Sequence, residues 1–122
     1  MNEVNELIGR IISRIDVNRN DGDDRIVFYL NDGDRYEMYH SQDCCESVNI
    51  EDIEGDVDDL TGTPIITAEE SSNRGDGDDD DYDDSETWTY YKFSTILGYV
   101  TIRWYGTSNG YYSESVNFDK ID

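Results

Sequence analysis

The 122-residue chain holds one proline, one histidine, two cysteines and nine lysines plus arginines, and each shortage closes off a class of protein. Only Lys92 and Lys120 are lysines, and thirty acids bring the formal charge to −21. No basic stripe is available to neutralise phosphates, which excludes direct nucleic-acid binding and an anionic membrane surface. No run approaches the ~20 apolar residues needed to cross a bilayer. The N-terminal residues, with Glu3 and Glu6, lack the basic and apolar regions of a signal peptide, so a cytoplasmic location is expected. The two cysteines, Cys44 and Cys45, are neighbours. Neighbouring Cα atoms stand about 3.8 Å apart, too close for an unstrained bridge, so a secreted disulfide scaffold is disfavoured.

What is abundant is aspartate, twenty residues of it, and aromatic side chains, 12% of the sequence. A mean hydropathy of −0.81 leaves the core to be built from large rings, which is enough to argue against disorder throughout. The length fits a single domain over residues 1–122. The acid surplus predicts a basic protein as partner, steered by the field of the whole surface.

The periodicity is mostly that of strands. Asn2 to Ile8 suggests a short N-terminal helix capped by Asn2. Gly9 then breaks it, and Ile11 to Val17 is extended. Ile26, Phe28 and Leu30 alternate, as do Tyr36, Met38 and His40 across the Asn31-Asp32-Gly33-Asp34 turn, predicting a hairpin. Asp56 to Leu60 suggests one helical turn closed by Gly62, and Pro64 opens an extended run to Ala68. Residues 71–85 have no apolar content besides Tyr82 and read as a flexible acidic loop. Trp88, Tyr90, Tyr91 and Phe93 form one β-prone run, and Val100, Ile102 and Trp104 another. Asn109-Gly110 signals a hairpin turn, with Val116 and Phe118 on the returning strand. The expected fold is therefore mostly β, a small single domain with a curled antiparallel sheet or sandwich, a short N-terminal helix and one acidic loop.

Three constellations bear on chemistry. His40, Cys44 and Cys45 supply one imidazole and two thiolates, the donor set that suits structural zinc, with Asp43 or Glu46 as a fourth ligand. Neighbouring cysteines converge on one ion only at a turn or bulge, and the alternative is a small apolar cysteine beside a strand-ending histidine. Asp16, Asn18, Asn20 and Asp21-Gly22-Asp23 superficially resemble a calcium loop. Its glycine falls one place late and Val27 stands where the bidentate glutamate belongs, so the segment is a polar turn. No motif with statable catalytic mechanics occurs, and an enzyme is not expected. The third constellation is for recognition. Asp76, Asp78, Asp79, Asp80, Asp81, Asp83 and Asp84 would present charge at about one per 3.3 Å if extended, close to the ~3.4 Å of one DNA strand. Tyr105, Tyr111 and Tyr112 would add aromatic anchors or pack across strands.

The strings HSQDCCESVNIEDIEGD, ETWTYYKF and TIRWYGTSNGYYSESV resemble a domain family of bacteriophages and prophages of Gram-positive bacteria. That group is similar to anti-CRISPR proteins acting on type II effector nucleases, some of which contain zinc. The resemblance implies a phage-encoded inhibitor acting in the bacterial host cell, binding a basic surface of a CRISPR effector nuclease and blocking DNA loading or cleavage. It also implies metal binding by His40, Asp43, Cys44 and Cys45. The alternatives are a DNA-mimicking anti-restriction protein and a toxin-immunity protein.

Overall fold

The computed structural model describes residues 3–20, 23–41, 46–76, 85–108 and 114–121, apart from the side chains of 74–76 and 85. Eight strands, β1 (Ile12–Asn18), β2 (Arg25–Leu30), β3 (Arg35–Tyr39), β4 (Ser47–Glu54), β5 (Thr67–Asp76), β6 (Ser85–Thr95), β7 (Gly98–Ser108) and β8 (Asn117–Ile121), form two antiparallel sheets. Sheet I has the order β1-β2-β3-β8 and sheet II the order β4-β7-β6-β5. Their apolar faces meet, so the mostly β expectation holds in its sandwich form.

Two-residue alternation decides which side chains lie between the sheets. Ile26, Phe28 and Leu30 of β2 and Tyr36 and Met38 of β3 face Tyr91 and Phe93 of β6 and Val100, Ile102 and Trp104 of β7, all of them buried. Phe28 touches Phe93 across the interface, with ring centroids 5.7 Å apart. The Trp104 indole donates to the Met38 sulfur at 3.2 Å, which gives the one polar atom of that ring a partner where water is excluded.

Four expectations about local structure change. The N-terminal helix is only a four-residue 3-10 turn, Val4–Leu7, capped by Glu3 rather than Asn2. Ile8 already bridges Ile65, and Gly9 has φ +84, so the chain is extended before a second helical turn can form. The hairpin strand ends at Tyr39, and His40 lies beyond it. The acidic loop expected over 71–85 is shorter: β5 continues to Asp76 and β6 begins at Ser85, with all ten residues of β5 in register from Thr67↔Ser94 to Asp76↔Ser85. The aromatic strand β6 serves as template for a Ser- and Asn-rich partner whose own propensity is poor. Finally, β7 and β8 are not a hairpin. β7 has β4 on one side and β6 on the other, leaving no edge for β8, which pairs with β3 in the opposite sheet.

At Gly55, a backbone with φ +97 would place a Cβ 2.4 Å from the Tyr99 carbonyl oxygen, so both the conformation and the space require glycine. Gly55→Ala should therefore destabilise by more than about 1 kcal/mol. Trp104→Ala, which removes the largest fully buried side chain, should cost about 3–5 kcal/mol. Urea unfolding at neutral pH measures both, and a Trp104 variant with an unchanged midpoint would contradict this core.

Candidate functional site

The strand register puts four connections at one end of the sandwich. Asn18, Arg25, Tyr39 and Asn117 form one row across sheet I, and Ser47, Ser108, Ser85 and Asp76 lie at the matching end of sheet II. From these residues spring the connections 19–24, 40–46, 77–84 and 109–116. In the sequence they hold twelve of the thirty acids and, among the cations, only Arg19. Sheet I is nearly balanced, its strands carrying Arg14, Arg25, Arg35 and Lys120 against Asp16, Glu37 and Asp119, whereas the strands of sheet II carry Glu51, Asp52, Glu54, Glu69, Glu70, Asp76 and Glu86 against Arg74, Lys92 and Arg103. Most of the charge surplus therefore belongs to the segments between strands, and this end has the largest share.

Among the described residues three of those acids, Asp24, Glu46 and Glu114, are buried, and each holds the end together. His40, leaving β3, has a side chain only 4% exposed, and that of Glu46, entering β4, is 0% exposed. Nε2 of His40 meets a Glu46 carboxylate oxygen at 2.8 Å and Nδ1 meets the Ser115 carbonyl at 2.6 Å. A carbonyl only accepts, so Nδ1 carries a proton, and Nε2 and Glu46 share another. One imidazole therefore joins both places where the chain changes sheets, β3 to β4 and β7 to β8.

Asp24 accepts from the Ile50 amide at 2.7 Å, while Arg19 donates to the Ile50 carbonyl at 2.8 Å. β4 is an edge strand with a register shift between Ile50 and Asp52. The 19–24 connection thus satisfies backbone groups that an edge bulge leaves out of the ladder. Glu114 accepts from Thr87 at 2.7 Å and from Ser108 at 2.5 Å. Its backbone passes so close to Gly106 that a Cβ there would stand 3.1 Å from the Glu114 carbonyl oxygen.

Of the residues singled out in the sequence, His40 is in this network, and Asp76 is the last residue of β5, paired with Ser85. Asp43, Cys44, Cys45, Asp78, Asp79, Asp80, Asp81, Asp83, Asp84, Tyr111 and Tyr112 lie outside the described residues. Both nitrogens of His40 are engaged, Nδ1 in the outer bond that commonly orients a metal-binding histidine and Nε2 by Glu46. Among the described residues no group of three or more His, Cys, Asp or Glu assembles a metal site. Tyr105 is on the outward face of sheet II, its ring 5.1 Å from that of Trp88 and its hydroxyl donating to Glu86 at 2.8 Å. Partial burial and the Glu86 carboxylate both raise its phenol above the ordinary value.

Asp24, Glu114 and Ser115 escaped the sequence reading, and Glu46 entered it only as a metal ligand. In a chain with thirty acids nothing in composition marks the few that are buried. The one available signal was position, each acid standing just before an apolar strand or beside its first residues.

Removing one member of a buried pair leaves the other desolvated and without its charge-bearing partner. His40→Ala and Glu46→Ala should each destabilise by about 3–5 kcal/mol, and the double variant by much less than their sum. Denaturant unfolding of the three variants tests this, and strict additivity would show that the two groups are not coupled.

The sequence matches the model of a domain of unknown function, DUF7448, over residues 5–118. No curated protein and no solved structure matches the chain. Among the described residues no helix is long and apolar enough to cross a membrane.

Proposed function

As the chain belongs to the DUF7448 family, we propose that this member is a non-catalytic binding protein that seats the acid-rich end of its sandwich on a basic surface of a protein partner and blocks that partner by occupancy. The observation that carries this reading is the convergence of four connections, with twelve acids between them, on one end of a rigid β scaffold. Loops clustered at a sandwich end are a common recognition surface. Here their roots are held by Asp24, the His40–Glu46 pair and Glu114, which limits the ordering cost of docking. Like-signed charge gathered at one end also steers encounter, raising association rates by about 10 to 10³-fold at low ionic strength.

The partner class that best fits the phage resemblance is a type II RNA-guided nuclease, whose nucleic-acid channels are positively charged and are disabled by anything that fills them. Structural zinc at His40, Asp43, Cys44 and Cys45 is a separate proposal, supported by the clustering of the chain's histidine and both cysteines in one connection. It requires Nε2 of His40 to exchange Glu46 for the ion. Purified protein would then carry one zinc per chain, lost together with thermal stability in Cys44→Ser.

Binding to a guide-loaded type II effector nuclease, followed by surface plasmon resonance, tests the main reading. The complex should weaken steeply as salt rises from about 50 to about 300 mM, because screening shortens the reach of exposed charge. Changing Asp78, Asp79, Asp80, Asp81, Asp83 and Asp84 to Asn should slow association by about tenfold or more and leave the melting temperature unchanged. A complex indifferent to both salt and these substitutions would refute the docking of an acidic end.

A further inference from the structure

A second acidic feature opens on the flank of the sandwich. β5 and β8 are the outermost strands of their respective sheets, and between them runs a groove of about 470 Å³ closed at one end by the N-terminal 3-10 turn. Its floor is apolar, made by the buried Val4, Ala68 and Phe118, and its rim carries the exposed Glu3, Glu69 and Glu70. Such a volume lies within the range of ordinary ligand sites.

An acidic rim alone does not make a site. A buried hydroxyl beside it adds the independent indication. Tyr91 on β6 stands in register with Glu70 on β5. Its side chain is fully buried, and its hydroxyl has no partner within ordinary hydrogen-bond distance, Glu70 being the nearby acceptor. Burial, first, then the charge of the Glu70 carboxylate and its attraction for the phenol proton, hold the phenol well above its ordinary value, so it is a neutral donor toward Glu70 with an unused oxygen lone pair. Buried polar groups left unsatisfied are rare in folded proteins and call for an explanation. Here the phenol can donate to Glu70 while a cationic N–H held by Glu70 donates to the phenol oxygen.

The geometry points to this groove as the docking site for an extended, basic segment of a partner protein, laid along β5 as an added strand with a Lys or Arg side chain entering between Glu70 and the Tyr91 hydroxyl. β5 is ten residues long and, among the described residues, has no strand on its outer side, which supplies a main-chain template. Its acids choose the occupant. Two copies of a chain of charge −21 repel, and acidic side chains on an edge strand oppose self-pairing, whereas a segment alternating basic and apolar residues meets the rim with one face and the floor with the other. This inference rests on the proposed basic partner and specifies a second contact for it, distinct from the acid-rich end.

The probe is a synthetic ten-residue peptide alternating Lys and Val, titrated calorimetrically into the full-length protein, with amide hydrogen exchange followed by NMR. Binding should slow exchange along β5 from residue 68 onward. It should weaken about tenfold in Glu70→Gln and about threefold in Tyr91→Phe, a variant whose melting temperature stays level or rises because it loses an unpartnered hydroxyl. A peptide N-methylated at alternate amides, with equal charge and no strand pairing, should bind at least tenfold more weakly. Equal binding of the two peptides, unchanged affinity in Glu70→Gln, or protection confined to another edge would overturn the groove, as would a dimer of the protein formed through β5. Replacing the six aspartates of 77–84 with Asn separates the two readings. If only that change abolishes peptide binding, the groove is refuted and the acidic end stands; if no variant shows salt-sensitive binding of the basic peptide and the wild type shows none either, both fall.

Discussion

The fold depends on one buried contact, the imidazole of His40 held between the Glu46 carboxylate and the Ser115 carbonyl. A two-sheet sandwich made by a single chain must cross between sheets, and this chain does so after β3 and again after β7. Each crossing leaves the ladder and exposes backbone and side-chain polar groups at the core margin, where an unsatisfied group is expensive. His40 joins the two crossings and thereby fixes the relation of β4 and β8 to the strands they leave. The chain's one histidine is thus spent where two nitrogen atoms on a rigid ring can reach two different connections at once.

Carboxylates have opposite roles in this protein according to depth. On the surface they sum to a negative field. In the interior Asp24, Glu46 and Glu114 act as acceptors for Ile50, His40, Thr87 and Ser108. A buried charge is tolerable only when its oxygens are paired in this way. The interior acids hold the roots of the acid-bearing connections, so one residue type both fixes this end and supplies its charge. Arginine is distributed differently: three of the seven stand on the outer face of sheet I, where Arg14 lies 4.2 Å from the centre of the Tyr29 ring and Arg25 pairs with Glu37. Arg25, in the terminal row of sheet I, also pairs with Asp23 at 3.0 Å, so it offsets only a small part of the twelve acids at that end.

Much of the strand content was legible because alternation of two residues has no other physical meaning than a half-buried strand. The β2–β3 hairpin, the aromatic run of β6 and the inward Val100, Ile102 and Trp104 of β7 all follow from it. The failures share one cause, competition among strands for edges. Residues 71–76 look like loop by composition and become strand because β6 offers them a ladder. The β7–β8 hairpin looked sound by its turn residues and is absent because β4 and β6 already flank β7. In the site, His40 was conspicuous as a singular residue. Its partners were not, since an acid among thirty carries no mark of where it will be buried.

The sequence by itself determined the class of fold, the inward faces of most strands and the sign of the chain's own charge, because those follow from local periodicity and from a sum over residues that no folding alters. Tertiary structure alone decided which sheet each strand joins, which few acids leave the solvent, and that four acid-bearing connections share one end. Those are relations between residues distant in the chain, as with Asp24 and Ile50 or His40 and Ser115, and they exist only once long-range pairing has brought the two sheets together.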